Sequence, residues 1–424
     1  MTTPDSTLPI GATTAEPSFR GALASRDFKL LFAGQLGSEV GNGLIQLALP
    51  WLVLKITDSV FQLGFAYFFQ FLPMLLFGLV GGVFADRWDR RLTIVIVDAI
   101  RTVAFVSVGV IYYAGALTVE HIYAVIFLES SLANFFNPAR AALMPNLVSQ
   151  ENLRPANSMM EVARHVGFMV ASPVGGILSG LIGPAALFLV DGATFFVSGV
   201  TVFMIRWRPG PREQTQTEGI WNSIQLVAYQ TAEGLAVIAR SRLLQVAVLL
   251  GLSLNLVISP IQILLPLFVR NVKNADTGYY ALLALGLLIG LLAGSLTQPA
   301  LSRRFGLGRL TIVAVFLLGG VICFASWPPT LWPPFIAMVF AGGAIGALNV
   351  SQTTMLQNST SDEERGRVSA TYYTATLGVR PLGYLAVGAL ASAIDIRLMF
   401  VVLGIMALFV GVLLSRVSEV RETR

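Results

Sequence analysis

The 424-residue sequence holds one cysteine, two histidines and few charges. Each scarcity excludes a class of protein. Cys323 alone cannot close an intramolecular disulfide, so the fold does not depend on oxidation. His121 and His165 lie far from it and from each other in sequence, so no structural zinc site and no other metal is expected. Charged residues make up 12% of the chain and hydrophobic residues 55%, whereas a soluble domain carries about 25% charged residues. A soluble globular enzyme, a disordered chain and a disulfide scaffold are thereby excluded. No Gly-x-x-x-x-Gly-Lys-Ser/Thr phosphate loop, Gly-x-Ser-x-Gly or His-Glu-x-x-His pattern occurs. No cofactor and no catalytic residue are expected, and ATP is not the direct source of energy.

What the chain does have is long apolar runs. A bilayer core takes about 20 apolar residues of helix. Runs of that kind fall near 30–54, 60–85, 92–115, 119–141, 157–182 and 184–206, then near 244–269, 277–301, 309–327, 332–356, 367–393 and 396–416. They are too long and too uniformly apolar for the alternating strands of a membrane barrel. The expectation is an all-α membrane protein of twelve transmembrane helices, because a helix satisfies its own backbone groups in lipid.

The charges then become informative by position. Of the 28 Lys and Arg, 21 fall in the segments on the side of the termini, 4 on the opposite side and 3 within spans. Both termini are therefore assigned to the cytoplasm of a plasma (inner) membrane. The formal net charge of +5 is mostly a topology signal, and no nucleic-acid partner is expected. Residues 1–28 are polar, lack a signal-peptide pattern and read as a flexible cytosolic tail. The longest polar gap, 207–241, divides the chain into a six-helix half at 29–206 and another at 242–416, with a short tail at 417–424. Within the gap, Arg208–Gln214 reads as a loop. Ile220–Ala239 reads as an amphipathic helix on the cytoplasmic membrane surface or as a plain tether. Gly37/Gly41, Gly78/Gly82, Gly290/Gly294 and Gly342/Gly346 are spaced for close helix contact. Ser361 with Glu364 forms a capping-box pattern.

Between the second and third runs stands Gly82-Val83-Phe84-Ala85-Asp86-Arg87-Trp88-Asp89-Arg90-Arg91. This turn has too little chain for a domain, so its charges must meet helix ends or each other. It resembles the signature loop of the major facilitator superfamily, matching at Gly82, Asp86, Arg87, Arg90 and Arg91, with Asp89 where the family often has Gly. Asn137–Pro145, Ala156-Asn157-Ser158, Arg365–Ser369 and Pro381-Leu382-Gly383 are similar to the enterobactin-exporter and macrolide-efflux group. Ser172-Pro173-Val174-Gly175-Gly176 is similar to the antiporter motif of the fifth helix, with Pro173 and Gly176 in place and Ser172 where the motif has Gly. The resemblance implies two six-helix halves rocking about a central site. It also implies a gating loop, with Asp86 near Ser361–Arg367. The corresponding second-half loop, Leu301–Gly306, lacks the acid.

A charge at mid-span costs about 2.5–3.5 kcal/mol on insertion scales. Glu39, Asp98, Arg101, Glu129, Glu161, Arg164, Asp191 and Arg380 all fall within spans, so they are expected to face a water-filled cavity or one another. Asp98/Arg101 and Glu161/Arg164 are spaced to pair along their own helices. Glu39 and Glu129 have no such neighbour. Burial makes a carboxyl group hold its proton more tightly, so these two lead the candidates for proton coupling or cation recognition. Arg380 is a candidate for an anionic substrate group or a carboxylate across the cavity. His165 is a weaker proton-relay candidate, and His121 is assigned to an external loop. Phe65, Tyr67, Phe68, Phe69 and Phe71, with Tyr372 and Tyr373, would suit a bulky substrate if they face the cavity. The function expected is proton-coupled efflux of an amphipathic small molecule such as a drug, siderophore or lipid-like compound, by a monomer in contact with membrane lipid. Uptake, lipid flipping and a non-transporting receptor or scaffold are the alternatives.

Overall fold

A computed structural model describes residues 18–78, 88–207, 220–325, 330–391 and 393–422. Among them there is no strand. A short α1 (Phe19–Ala24) lies within the stretch expected to be a tail, with Ala22 buried. It leads into α2 (Arg26–Thr57) and α3 (Val60–Phe77). Then follow α4 (Arg90–Tyr113), α5 (Val119–Leu143), α6 (Leu153–Ile182) and α7 (Pro184–Phe203). After the polar gap come α8 (Ile220–Arg240), α9 (Arg242–Ile258) and α10 (Ile261–Leu267). The last group is α11 (Thr277–Phe305), α12 (Leu307–Ala325), α13 (Trp332–Asn358), α14 (Asp362–Gly378), α15 (Arg380–Leu390), α16 (Ile396–Ser415) and α17 (Ser418–Glu422).

Helix starts follow local chemistry. The Ser25 and Asp89 side chains accept from the backbone N–H of Phe28 and Leu92, at 3.2 and 2.9 Å, and Asp276 accepts from Tyr279 at 3.1 Å. Ser361 precedes α14 as expected, but its hydroxyl donates to the Glu364 carboxylate at 2.8 Å instead of accepting a backbone N–H. Gly183 and Gly306, both with φ of 85°, make the tight turns between α6 and α7 and between α11 and α12. Two expected spans are broken near a proline. Pro260 separates α9 from α10, and Arg380-Pro381 opens α15 directly after α14. Among the described residues, nine helical stretches are long and apolar enough to cross a membrane. The chain segments of the more polar α5 and α6, and of the broken α14–α15, are helical too.

Small residues set the distances between helices. The two glycine pairs of α11 and α13 face each other. A Cβ at Gly290 or Gly294 would strike the backbone of Val339 or Gly343, and one at Gly342 or Gly346 would strike that of Leu287 or Leu291. Gly41 lets α2 approach Asp191 and Thr194 of α7. Gly37 has open space instead, and Gly82 lies outside the described residues.

Two seams join the helices before the gap to those after it. Along α3 and α15, a Cβ at Gly64 would stand 2.9 Å from the Tyr384 carbonyl oxygen and 3.0 Å from Gly388 Cα. Tyr67 and Tyr384 stack beside that contact at 5.0 Å, and Phe71 stacks on Tyr384 at 5.3 Å. Along α6 and α11, Thr277 donates to the Gly176 carbonyl at 3.1 Å, and Gly176 faces Ala281. Arg270 pairs with Asp58 at 2.8 Å at the same end of the bundle. The expected amphipathic helix forms as α8. It docks on α14, with Gly234 against Thr371 and the Arg367 carbonyl, and an ion pair between Glu233 and Arg367.

Replacing Gly342 with Val should force α11 and α13 apart and lower stability by roughly 1–3 kcal/mol. Gly37→Ala should stay within about 0.5 kcal/mol of the parent. Thermal unfolding of the purified protein in detergent, followed by intrinsic fluorescence, checks both, and equal midpoints would refute the packing argument.

Candidate functional site: a polar cavity in the helix bundle

The first helix of the bundle is apolar by composition but not by face. Gln35, Ser38, Glu39, Asn42 and Gln46 recur at helical spacing along α2. They line one wall of a cavity of about 430 Å³. Gln70 of α3, Arg101 and Phe105 of α4, Glu129, Phe136, Asn137 and Arg140 of α5, and Glu161 and Arg164 of α6 complete it.

The charges in this cavity are paired between helices. The Arg101 guanidinium donates to Glu129 at 3.2 Å. It also stands over the rings of Phe136 and Phe195, at 4.7 and 5.3 Å. Arg140 reaches Glu39 at 3.6 Å and donates to the Gln35 side chain at 3.1 Å. Both carboxylates without an in-helix partner thus find one on a neighbouring helix. Glu161 and Arg164 pair along α6 at 2.5 Å as their spacing predicts, with both side chains more than half exposed.

Arg101 is turned to Glu129, not to Asp98 as the spacing on α4 suggested. Asp98 is buried, and neither of its carboxylate oxygens has a hydrogen-bond partner, although the Ser198 hydroxyl faces it from α7. Asp191 is fully buried against α2. One of its oxygens accepts from Thr194 at 2.9 Å and the other has no partner.

Other sequence candidates lie elsewhere. Arg380 sits at the α14–α15 break, where it donates to the Asn255 side chain at 2.6 Å and stands 5.7 Å from the Phe71 ring. Among the described residues it has no carboxylate partner, and it does not line the cavity. The aromatic residues of α3 also stay out of the lining. Tyr67 and Phe71 belong to the α3–α15 seam, while Phe65 and Phe69 pack toward Tyr123 of α5 at 6.3 and 5.2 Å. Their number reflects helix packing, and Phe105 and Phe136 supply the cavity's aromatic surface. Tyr372 is buried, and Tyr373 packs edge-on against it. His121 lies on the first turn of α5, not in a loop, and its ring shares a hydrogen bond of 2.8 Å with Ser107. His165 is exposed on α6.

The signature loop is described in part. Gly82, Asp86 and Arg87 lie outside the described residues. Arg90 donates to the Ala142 carbonyl of α5 at 2.9 Å. Arg91 donates to the Val202 carbonyl of α7 at 3.2 Å and also to that of Phe203. Both arginines thus meet carbonyls in the last turn of a neighbouring helix, the negative end of its dipole. Of the antiporter-like stretch, Ser172 and Pro173 fall in α6, and Gly176 forms the seam with α11.

Sequence reasoning missed Arg140 as a cavity residue: by sequence it is a charge on the side of the termini, within Asn137–Pro145. The available signal was the polar stripe on α2, which needs a cationic partner wherever it is buried. Arg140→Gln should leave Glu39 unpaired and cost up to about 3 kcal/mol. A Glu39→Gln/Arg140→Gln double variant should recover most of that loss. Thermal midpoints of the four proteins in detergent measure the coupling, and additive losses would show that the pair is not energetically joined.

Comparisons with known proteins agree with this architecture. The chain is 24% identical over 402 residues to the multidrug efflux pump Tap of Mycolicibacterium fortuitum, covering 93% of this chain and 96% of that one. It is 22% identical over 398 residues to macrolide efflux protein A of Streptococcus pyogenes, with the same coverage of 93% and 96%. The crystal structure of the nucleoside transporter NupG superposes with a TM-score of 0.75 at 13% identity, over 94% of this chain and 100% of that one. The model of the transmembrane secretion effector family matches residues 18–424. By that match, which takes in the cavity and both seams, the chain belongs to the transmembrane secretion effectors of the major facilitator superfamily.

Proposed function

We propose that the chain is a secondary transporter that expels bulky amphipathic small molecules across the cell membrane in exchange for protons. In this reading twelve spans form two six-helix halves, 29–206 and 242–416, joined by the 207–241 linker, with both termini cytoplasmic. The halves rock about the cavity, and the seams around Gly64/Gly388 and Gly176/Ala281 close the outer face while the cavity meets the cytoplasm.

The observation that carries the reading is the cavity itself. Two acid–arginine pairs largely withdrawn from water, Glu39–Arg140 and Glu129–Arg101, face one cavity of about 430 Å³ beside the two seams. Buried ion pairs are costly to keep. A receptor or scaffold has no need of them, whereas a proton-driven pump can open and re-form them. The relatives named for multidrug and macrolide efflux support the direction of transport and the substrate class. The small fraction of apolar lining supports substrates that bring a polar or cationic group to Glu39 or Glu129. Uptake or lipid flipping by the same fold would use the same cavity. Arg90 and Arg91 fasten the signature loop to α5 and α7, and we assign its Gly82, Asp86 and Arg87 to the inner gate, opposite the start of α14.

Proteoliposomes test this reading with two probes, the macrolide erythromycin and the cationic dye ethidium, with and without an imposed pH gradient. Gradient-dependent movement of either probe, accompanied by proton flux, is expected in the parent. Glu129→Gln should reduce the gradient-dependent part at least tenfold. Movement of neither probe would favour the receptor, and movement indifferent to the gradient would remove the proton. For the gate, cysteine crosslinking across the cytoplasmic ends of α3 and α14 should fall in Asp86→Asn, and unchanged crosslinking would exclude Asp86 from it.

A further inference from the structure

The buried groups left over from the cavity point to a second berth for Arg101. Arg101 and Asp98 lie one turn apart on the same face of α4. The guanidinium spends Nη2 on Glu129, while its buried Nε has no hydrogen-bond partner. Both oxygens of Asp98 are likewise buried and without a partner. Asp98 does not line the cavity. It faces α7, where Gly199 leaves room, so that a Cβ there would stand 3.3 Å from the Asp98 Cβ.

The surroundings narrow the possibilities. Toward Arg101, α5 offers Glu129, and Arg140 is held by Glu39 of α2. Glu161 and Arg164 of α6 neutralise one another. Toward Asp98, α7 offers the Ser198 hydroxyl, and its Asp191 is another buried acid, with one oxygen on Thr194 and the other without a partner. Arg101 is thus the one described cation within reach of both Asp98 and Glu129. A single guanidinium between the buried Asp98 and the half-buried Glu129 leaves room for one proton, because an unpaired charge withdrawn from water is expensive.

We propose that Arg101 is a positioning residue that swings between Glu129 and Asp98 as one proton passes the other way. In the first state Asp98 carries the proton and Arg101 pairs with ionised Glu129, the pairing that the structure holds. In the second, Glu129 carries the proton and Arg101 pairs with ionised Asp98. The exchange breaks one O–H bond, forms another and leaves the net charge of the trio unchanged. The site is therefore electrically silent while it moves a proton from the α4–α7 interface into the cavity. Its use in transport rests on the proton-coupled reading above, but the swing itself does not.

Infrared difference spectroscopy of the purified full-length protein, without substrate, tests the swing. At neutral pH the parent should show a protonated-carboxyl band that Asp98→Asn removes and Asp98→Glu shifts. In Glu129→Gln the arginine loses its first partner and turns to Asp98, so the same band should fall at least tenfold. If Asp98→Asn and Asp98→Glu both leave the parent's band unaltered, Asp98 holds no proton and the proposal fails. If the Asp98 band persists at full strength in Glu129→Gln, Arg101 does not swing and the proposal fails. Either failure leaves proton-coupled export untouched, since the liposome assay reads that separately. Should Asp98→Asn not fold, the band shift in Asp98→Glu makes the assignment in its place.

Discussion

The arrangement of this protein depends on the cost of placing a charge where water is scarce. A lone ion inside the bundle is unfavourable by several kcal/mol, so each must be paired, hydrated or neutral. That constraint explains why Arg140 turns inward to Glu39 and Gln35, and why Arg101 crosses from α4 to α5 to meet Glu129. It also explains where the cavity lies. The pairs use residues from α2, α4 and α5, and their convergence needs space that apolar packing would have filled. Phe136 and Phe195 then close over the Arg101 guanidinium and limit its access to water.

Closeness of backbones is the complementary constraint. Without a hydrophobic drive between helices in lipid, contact depends on surface fit. The α11–α13 interface is built from glycines facing carbonyls across the gap, with little room for adjustment. The α3–α15 seam is different. Gly64 meets Gly388 over a short length, and the stacked Tyr67, Tyr384 and Phe71 continue the contact. Stacked rings can separate without breaking the bond of the Tyr384 hydroxyl, which goes to Gln262 within its own group of helices. Arg270–Asp58 closes the same end through side chains that water can solvate when they part. One interface is suited to hold and the other to release.

Much of this was legible in the sequence, and the reasons for the remainder are physical. Hydropathy found the long apolar helices, nine of which among the described residues are long and apolar enough to cross a membrane, because burial in lipid acts on every residue of a span. It also found the helix α8, which meets α14 through Gly234 and the Glu233–Arg367 pair. Local spacing succeeded for Glu161 and Arg164, where neighbours on the same helix are the nearest partners. It failed for Asp98 and Arg101, because a partner on another helix is invisible to spacing and Glu129 was available. It failed again for the aromatic residues of α3. A ring buries the same area against a helix as against a substrate, so composition could not distinguish Phe69 on Tyr123 from a lining residue. The stripe from Gln35 to Gln46 was readable, since amides at helical spacing on an apolar span have few uses other than facing a polar space.

The two broken helices extend the same logic to the other side of the bundle. At Pro260 and at Arg380-Pro381 the backbone loses regular hydrogen bonding, which is tolerated in a membrane where other groups replace it or a cavity adjoins. The Ser259 hydroxyl returns to the Asn255 carbonyl at 2.6 Å, and Asn255 in turn accepts from Arg380 across the break at 2.6 Å. Gly383 lets α15 close on Ser259 and Pro260, so the two breaks lie against each other. Phe71 stands beside the Arg380 guanidinium and belongs to the α3–α15 seam. A change at that seam therefore reaches Arg380 directly, and through Asn255 it reaches both discontinuities. Among the described residues, the acids of the cavity and its surroundings lie on α2 and α4–α7, and both breaks lie on the later helices. The Phe71–Tyr384 contact joins the two groups.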